Sequence, residues 1–188
     1  MRAIHVDETG AHWTERERVR LGRGEVRVNV RASAITGLDR DVVAGRLGFV
    51  GTPGHTFVGQ VVEVDDPEFR PLIGRRVVPR GGWGCGRCDA CVAGLGERCG
   101  SPRIPGVRGA HGGHAEQIVL PAQAVAPLDD VLTDEAGVLL PITAAILDTI
   151  PRADMPEWTN VLVVGDGGAG LLAGCLLSAA GYTVTLHG

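Results

Sequence analysis

Lysine is absent: all 18 basic residues of this 188-residue chain are arginine. That removes Schiff-base chemistry, a lysine general base and the lysine that reaches the phosphates of a P-loop. Tyrosine is almost absent as well. Tyr182 stands alone, so the Tyr/Lys proton-donor pair of the short-chain dehydrogenases is excluded. An excess of positive charge is lacking too. The formal net charge is -4 and the arginines are dispersed, which argues against a nucleic-acid or anionic-membrane surface. No apolar run is long enough to span a bilayer. Between Val161 and Gly181 the only charge is Asp166, and the uncharged part from Gly167 falls short of the roughly 20 residues required. Met1 to Asp7 is too soon polar for a signal peptide, so the expectation is a soluble, cytoplasmic protein.

Cysteine, by contrast, is concentrated. Four of the five lie in Cys85, Cys88, Cys91 and Cys99, spaced C-x2-C-x2-C-x7-C. Four thiolates converging in so short a loop form a closed tetrahedral site, the arrangement that holds structural zinc. Gly84, Gly86, Gly94 and Gly96 allow the loop to fold back on itself. Disulfides would need an oxidising compartment. An iron–sulfur ferredoxin run has a shorter last spacing, ending in Cys-Pro. With four protein ligands such a zinc has no open position and no catalytic part.

Glycine is abundant at 29 residues, which suits many turns rather than a helical bundle. The first half reads as strands. Val26, Val28 and Val30 alternate with Arg27, Asn29 and Arg31, a half-buried period of two. Further short strands are expected at 1–6, 57–64, 76–79 and 115–120, which together suggest a small barrel. A short helix is expected at about 37–44 and an apolar one at about 143–150, stopped by Pro151. Beyond the Pro-rich stretch 151–159 the pattern changes. Val161 to Val164 is a continuous apolar strand that runs into Gly165-Asp166-Gly167-Gly168-Ala169-Gly170, then an apolar helix and a second strand at 183–186. A G-x-G-x-x-G turn between strand and helix is a dinucleotide fingerprint. In it Gly165, Gly167, Gly168, Ala169 and Gly170 would cradle a pyrophosphate at the helix N-terminus. The alternative is a buried packing unit without a ligand. Cys175, in the middle of that helix, is expected in the core.

Barrel strands, a four-cysteine lobe and a Rossmann opening, in this order, resemble the zinc-containing medium-chain dehydrogenase/reductase family, alcohol dehydrogenase type. Three local motifs agree: Pro53-Gly54-His55-Thr56-Phe57-Val58-Gly59 is similar to P-G-H-E-x-x-G, Gly74-Arg75-Arg76-Val77 to G-D-R-V, and Gly112-Gly113-His114-Ala115-Glu116 to G-G-F-A-E. The resemblance implies a mixed α/β chain. A GroES-like β-barrel domain at 1–155, with its structural zinc lobe at 84–100, precedes the first β-α-β unit of an incomplete Rossmann domain at 156–188. Zinc and NAD or NADP are the implied cofactors, and a small molecule the implied substrate. The implied assembly is a homo-oligomer, with no nucleic acid and no membrane as partner.

The departures from the family are chemical. Its catalytic zinc takes a Cys, a His and a later Cys or acid. Here the first position is Thr36, the second is retained as His55, and the third falls at or beside Leu140, with no Cys, His or acid between Gly137 and Leu147. A hydroxyl and an aliphatic side chain cannot replace two donors, so the catalytic zinc is expected to be absent. The relay hydroxyl and relay His of the family fall at Leu38 and at about Asp41, and its Glu directly after the zinc-binding His falls at Thr56. Asp39 and His55 are what remains of the catalytic cluster. His55 has two readings: an acid/base or hydrogen-bond donor beside a nicotinamide, or an inherited histidine satisfied by Asp39 or the backbone. His111 and His114 lie in a Gly-rich loop and could line the same cleft, but the expectation for both is a surface loop. The expected activity is reduction of an already polarised acceptor, such as an enone, quinone, iminium or carbonyl, by NAD(P)H without catalytic zinc. A non-catalytic dinucleotide- or partner-binding scaffold and a conventional zinc alcohol dehydrogenase are the alternatives.

Overall fold

The computed structural model describes residues 1–156 and 159–188. In chain order the elements are β1 (Arg2–Asp7), β2 (Gly10–Glu15), β3 (Glu25–Ser33), α1 (Gly37–Val43), β4 (Phe57–Val64), β5 (Arg76–Pro79) and α2 (Asp89–Val92). There follow β6 (Ile104–Pro105), β7 (Gly109–Ala110), β8 (Gln117–Pro121), β9 (Val125–Pro127), α3 (Asp134–Gly137), α4 (Leu140–Arg152), β10 (Asn160–Val164), α5 (Gly168–Ala179) and β11 (Thr183–His187).

The chain divides into two compact units, Met1–Val138 and Leu139–Gly188. The first is built on a five-stranded sheet in the order β8-β3-β4-β5-β9, with the antiparallel hairpin β1-β2 tied to it by the bridge Ala3↔Ala115. Its core follows from the alternation. Val26 and Val28 of β3 face Phe57 and Val61 of β4, Val77 of β5, and Ile118 and Leu120 of β8. Phe57 is fully buried, and truncating so large a core side chain to alanine costs about 3–5 kcal/mol. This is the expected GroES-like barrel. Arg27 departs from the alternation pattern: it points out of the core but is covered, 2% exposed, by the chain at Val19 and by Glu63.

The second unit holds α4, β10, α5 and β11, with β10 and β11 paired in parallel. Its strand–turn–helix–strand order is that of a Rossmann opening. Two expectations are corrected here. The helix expected at 143–150 runs from Leu140 to Arg152, with Pro141 at its start and Pro151 inside its last turn. Proline is tolerated in a first turn, where its missing N–H has no partner to lose. Cys175 is exposed rather than in the core, because α5 is apolar all round and buries Leu177 alone. Within this unit α4 packs on α5. No helix among the described residues is long and apolar enough to cross a membrane.

Candidate functional site

Three places carry the chemistry. In the lobe, the Sγ atoms of Cys85, Cys88, Cys91 and Cys99 all lie within 4.8 Å of one another. Cys88 Sγ is 3.5 Å from Cys91 Sγ and 3.8 Å from Cys99 Sγ. A tetrahedron of thiolates at a Zn–S distance of about 2.3 Å has edges of about 3.8 Å, so this donor set fits zinc. A disulfide would bring two sulfurs to about 2.05 Å. The backbone is arranged for negative charge as well. Cys85 N and Ser101 N each donate to Cys99 Sγ at 3.3 Å. The N–H groups of Arg87 and Cys88 draw the Cys85 thiol down to about 6. At Cys91 the Gly86 N–H draws the thiol down, but lost hydration and the neighbouring thiols outweigh it and push it up to about 11. Four thiols this close cannot all ionise unless a cation sits among them.

The second place is built by two glycine-containing turns that interlock. Gly112 N donates to Thr52 O, Gly113 N to Gly54 O and His114 N to Pro53 O, at 2.7, 2.7 and 3.0 Å. Gly54 has φ +101°, and a Cβ there would lie 2.6 Å from His114 N. No other residue allows this approach. The interlock carries His114 to Asp39, a contact that the sequence did not reveal. Asp39, 3% exposed, is the centre of the cluster. Its Oδ1 accepts from Gly54 N at 3.0 Å and faces His114 Nε2 at 3.5 Å. Its Oδ2 accepts from Thr36 N at 2.8 Å and Thr36 Oγ1 at 2.7 Å, and faces His55 Nδ1 at 3.8 Å. Both histidine distances exceed a good hydrogen bond, and both ring nitrogens are buried without another partner. Burial alone would raise the Asp39 carboxyl. The interactions with His114, His55 and Thr36 outweigh it and hold the group well below the usual carboxylate range.

Thr36, at the position of the family's first zinc ligand, is committed elsewhere. Its hydroxyl accepts from Leu38 N and Asp39 N while Asp39 answers its backbone N–H, a reciprocal cap on α1. His55 and Asp39 lie side by side, with Nδ1 3.8 Å from Oδ2 and no hydrogen bond between them. His114, expected on a surface loop, is instead 12% exposed, with Nδ1 2.8 Å from Ser33 Oγ. Its neighbour His111 is exposed, and its Nδ1 accepts from Thr52 N at 3.1 Å. Among the described residues the cysteine lobe is the one group of three or more His, Cys, Asp or Glu side chains close enough to share a metal ion.

The third place is the turn between β10 and α5. Gly165 has φ +116°, and its N–H is held by His187 O. A Cβ at Gly170 would collide with the Gly165 carbonyl, so only glycine lets α5 start this close to the turn. A Cβ at Gly167 would meet nothing within 4 Å. Gly168, Ala169 and Gly170 form the first turn of α5, whose N–H groups have no partner within a helix. An open space faced by free N–H groups at a helix start fits a pyrophosphate.

Residues 22–130 match the alcohol dehydrogenase GroES-like domain. The chain belongs to that family. It is 31% identical over 183 residues to glucose 1-dehydrogenase of Metallosphaera sedula, covering 86% of this chain and 50% of the relative. It is 32% identical over 181 residues to L-threonine 3-dehydrogenase of Chelativorans sp., covering 90% and 51%. Among solved structures, the alcohol dehydrogenase RspB of Escherichia coli CFT073, complexed with NADH, superposes with a TM-score of 0.88 at 26% identity. That superposition covers 99% of this chain and 56% of the other. The chain thus spans about half the length of the curated relatives it matches.

Proposed function

We propose that this chain is the barrel and first Rossmann unit of an NAD(P)H-dependent oxidoreductase that keeps its structural zinc and does without a catalytic one. The observation that carries the proposal is the fate of Thr36. At the family's first ligand position it caps α1 and bonds Asp39, so its oxygen is not free for a metal. Zinc, when bound at Cys85, Cys88, Cys91 and Cys99, supplies folding energy to the lobe. A nicotinamide cofactor supplies the hydride. The chain's own residues do the rest. The Gly165–Gly170 turn presents backbone N–H groups to the pyrophosphate, and Asp39 orients the His55 ring.

Without a Lewis acid to polarise a simple carbonyl or alcohol, the suitable substrate is an acceptor already polarised, such as an enone, quinone or iminium. His55 and Asp39 then serve as the catalytic pair. His55 holds or gives the proton that the reduced acceptor requires, and Asp39 fixes its orientation. Soluble homo-oligomeric assembly in the cytoplasm completes the reading.

The test is cofactor binding by the protein in its longest natural form. NADH or NADPH is expected to bind, with enhanced nicotinamide fluorescence on titration. Gly167→Val, which places two methyl groups in the open space of the turn, is expected to abolish binding with little loss of stability. Gly170→Ala is expected to lose stability instead, by about 1–3 kcal/mol, through overpacking against the Gly165 carbonyl. If neither cofactor binds the wild type, the oxidoreductase reading fails and a scaffold role takes its place.

A further inference from the structure

Arg27 is a buried cation that is only partly answered. Its side chain is 3% exposed. Nε donates to Glu63 Oε2 at 2.7 Å and Nη2 to the Val19 carbonyl at 2.7 Å, while Nη1 is buried with no partner. Nε and Nη2 form one edge of a guanidinium and Nη1 lies on the other. Glu63 is on β4, and β3 has β4 on one side and β8 on the other. Nη1 is the unanswered end of the group.

A cavity of about 180 Å³ lies against β8, and Arg16, Arg27, Trp83, Arg103, His111 and Glu25 contribute to its walls. It has the volume of roughly six waters, enough for one tetrahedral oxyanion and part of its hydration. Two of the arginines on its walls lack counter-ions. Among the described residues neither Arg16 nor Arg103 has a carboxylate within ion-pair distance. Arg16 has one side-chain bond, from Nη1 to Thr52 Oγ1 at 3.1 Å. Burial lowers the Arg16 pKa, the direction expected of a cation short of hydration. At His111, Nδ1 accepts from Thr52 N, so the neutral ring carries its proton on Nε2 and is a donor there. The one carboxylate in the wall, Glu25, already accepts from Gly22 N at 2.7 Å.

We infer that this cavity is a binding site for a phosphate-sized oxyanion, held by Arg16, Arg27 and Arg103 with His111 as a further donor. Guanidinium groups suit this ligand because their planar forks give short, charge-assisted bonds to phosphate oxygens. An oxyanion would also satisfy Arg27 Nη1, and a buried donor without a partner is costly. The site is separate from the cysteine lobe, the Asp39 cluster and the Gly165–Gly170 turn, and it does not depend on the proposed activity.

The experiment is isothermal titration of the zinc-loaded protein with inorganic phosphate and, separately, with glycerol phosphate, at fixed ionic strength in chloride. Saturable binding of either at one per chain is expected. Inorganic phosphate alone would mark a free-ion site, and glycerol phosphate binding as well or better would mark a phosphomonoester site. Arg16→Gln and Arg103→Gln should each weaken binding tenfold or more. Arg103 is exposed, so its variant is expected to fold, which far-ultraviolet circular dichroism checks. Failure of both ligands to bind beyond the chloride background, or unchanged affinity in both folded variants, overturns the inference.

Discussion

The cysteine lobe and the Asp39 cluster belong to the same compact unit and both resemble metal neighbourhoods, but they are held in opposite ways. The lobe has almost nothing of its own. Its helix α2 buries no residue, Val92 is 77% exposed, and Cys99 is its one buried apolar side chain. Its four sulfurs converge within 4.8 Å, and backbone N–H groups of the same loop donate to Cys99 Sγ. The Asp39 cluster sits against the barrel, and its oxygens are engaged by the chain, while His55 Nδ1 and His114 Nε2 face Asp39 without a hydrogen bond. Thr36 caps a helix, Asp39 accepts from two backbone N–H groups, and His114 meets Ser33. In the lobe four sulfurs face one another, whereas in the cluster the Thr36 and Asp39 oxygens are already engaged by the chain.

The largest effect that could break this comparison is in the lobe. Cys88→Ser or Cys91→Ser should abolish zinc binding and leave 84–100 open to protease, with the barrel still folded. Structural zinc of this kind contributes on the order of 10 kcal/mol of apparent binding energy, and the lobe has no apolar core to replace it. Elemental analysis of the wild type should give one zinc per chain. Two tightly bound zincs would erase the contrast between the regions, and a zinc-free variant fully resistant to limited proteolysis would remove the structural role.

A smaller effect belongs to Asp39. Asp39→Asn removes the charge that both His55 and His114 face and weakens the bonds accepted from Gly54 and Thr36. A loss of about 3 kcal/mol in chemical unfolding is expected, as when one partner of a buried charged network is removed. Because the folded-state pKa of Asp39 is depressed below its unfolded value of about 3.9, its contribution is present above that pH and is lost as pH falls towards the folded value. The stability gap between wild type and variant should accordingly narrow below about pH 4. A gap that widens there would mean that Asp39 is held protonated and that the cluster is not organised by its charge.

The lobe was legible in the sequence because metal spacing is local: Cys85 to Cys99 declare the site without knowledge of the fold. The Gly165–Gly170 turn was legible for the same reason, and so were β4 and β5, whose limits match the apolar pattern residue for residue. The strand β2 was not, since Gly10–Glu15 is polar and becomes a strand only by pairing with β1. His114 was missed because its role depends on the contact between the turns at 52–54 and 112–114, far apart in sequence. Gly54 and Gly112 were the available signal, since glycines in two separate turns can mark a close backbone approach. The burial of Arg27 was hidden similarly, because the chain at Val19 that covers it shows no periodic pattern.

The smallest effect sharpens the comparison most. Thr36→Cys restores the residue type that the family has at its first ligand position. If the catalytic zinc were lost merely for want of that thiol, the variant would take up a second metal beside His55. The geometry argues otherwise. Position 36 is the cap of α1, its backbone N–H is bound by Asp39 Oδ2, and the adjacent His55 nitrogen is turned to the same carboxylate. Leu140, at the third position, offers no donor. A cysteine is a poorer cap than threonine, so the expected outcome is a loss of about 1 kcal/mol and an unchanged one zinc per chain. Elemental analysis and thermal unfolding of the variant measure both. A second equivalent of zinc, bound tightly enough to survive gel filtration, would show that the Asp39 network yields to a metal as soon as one thiol is supplied.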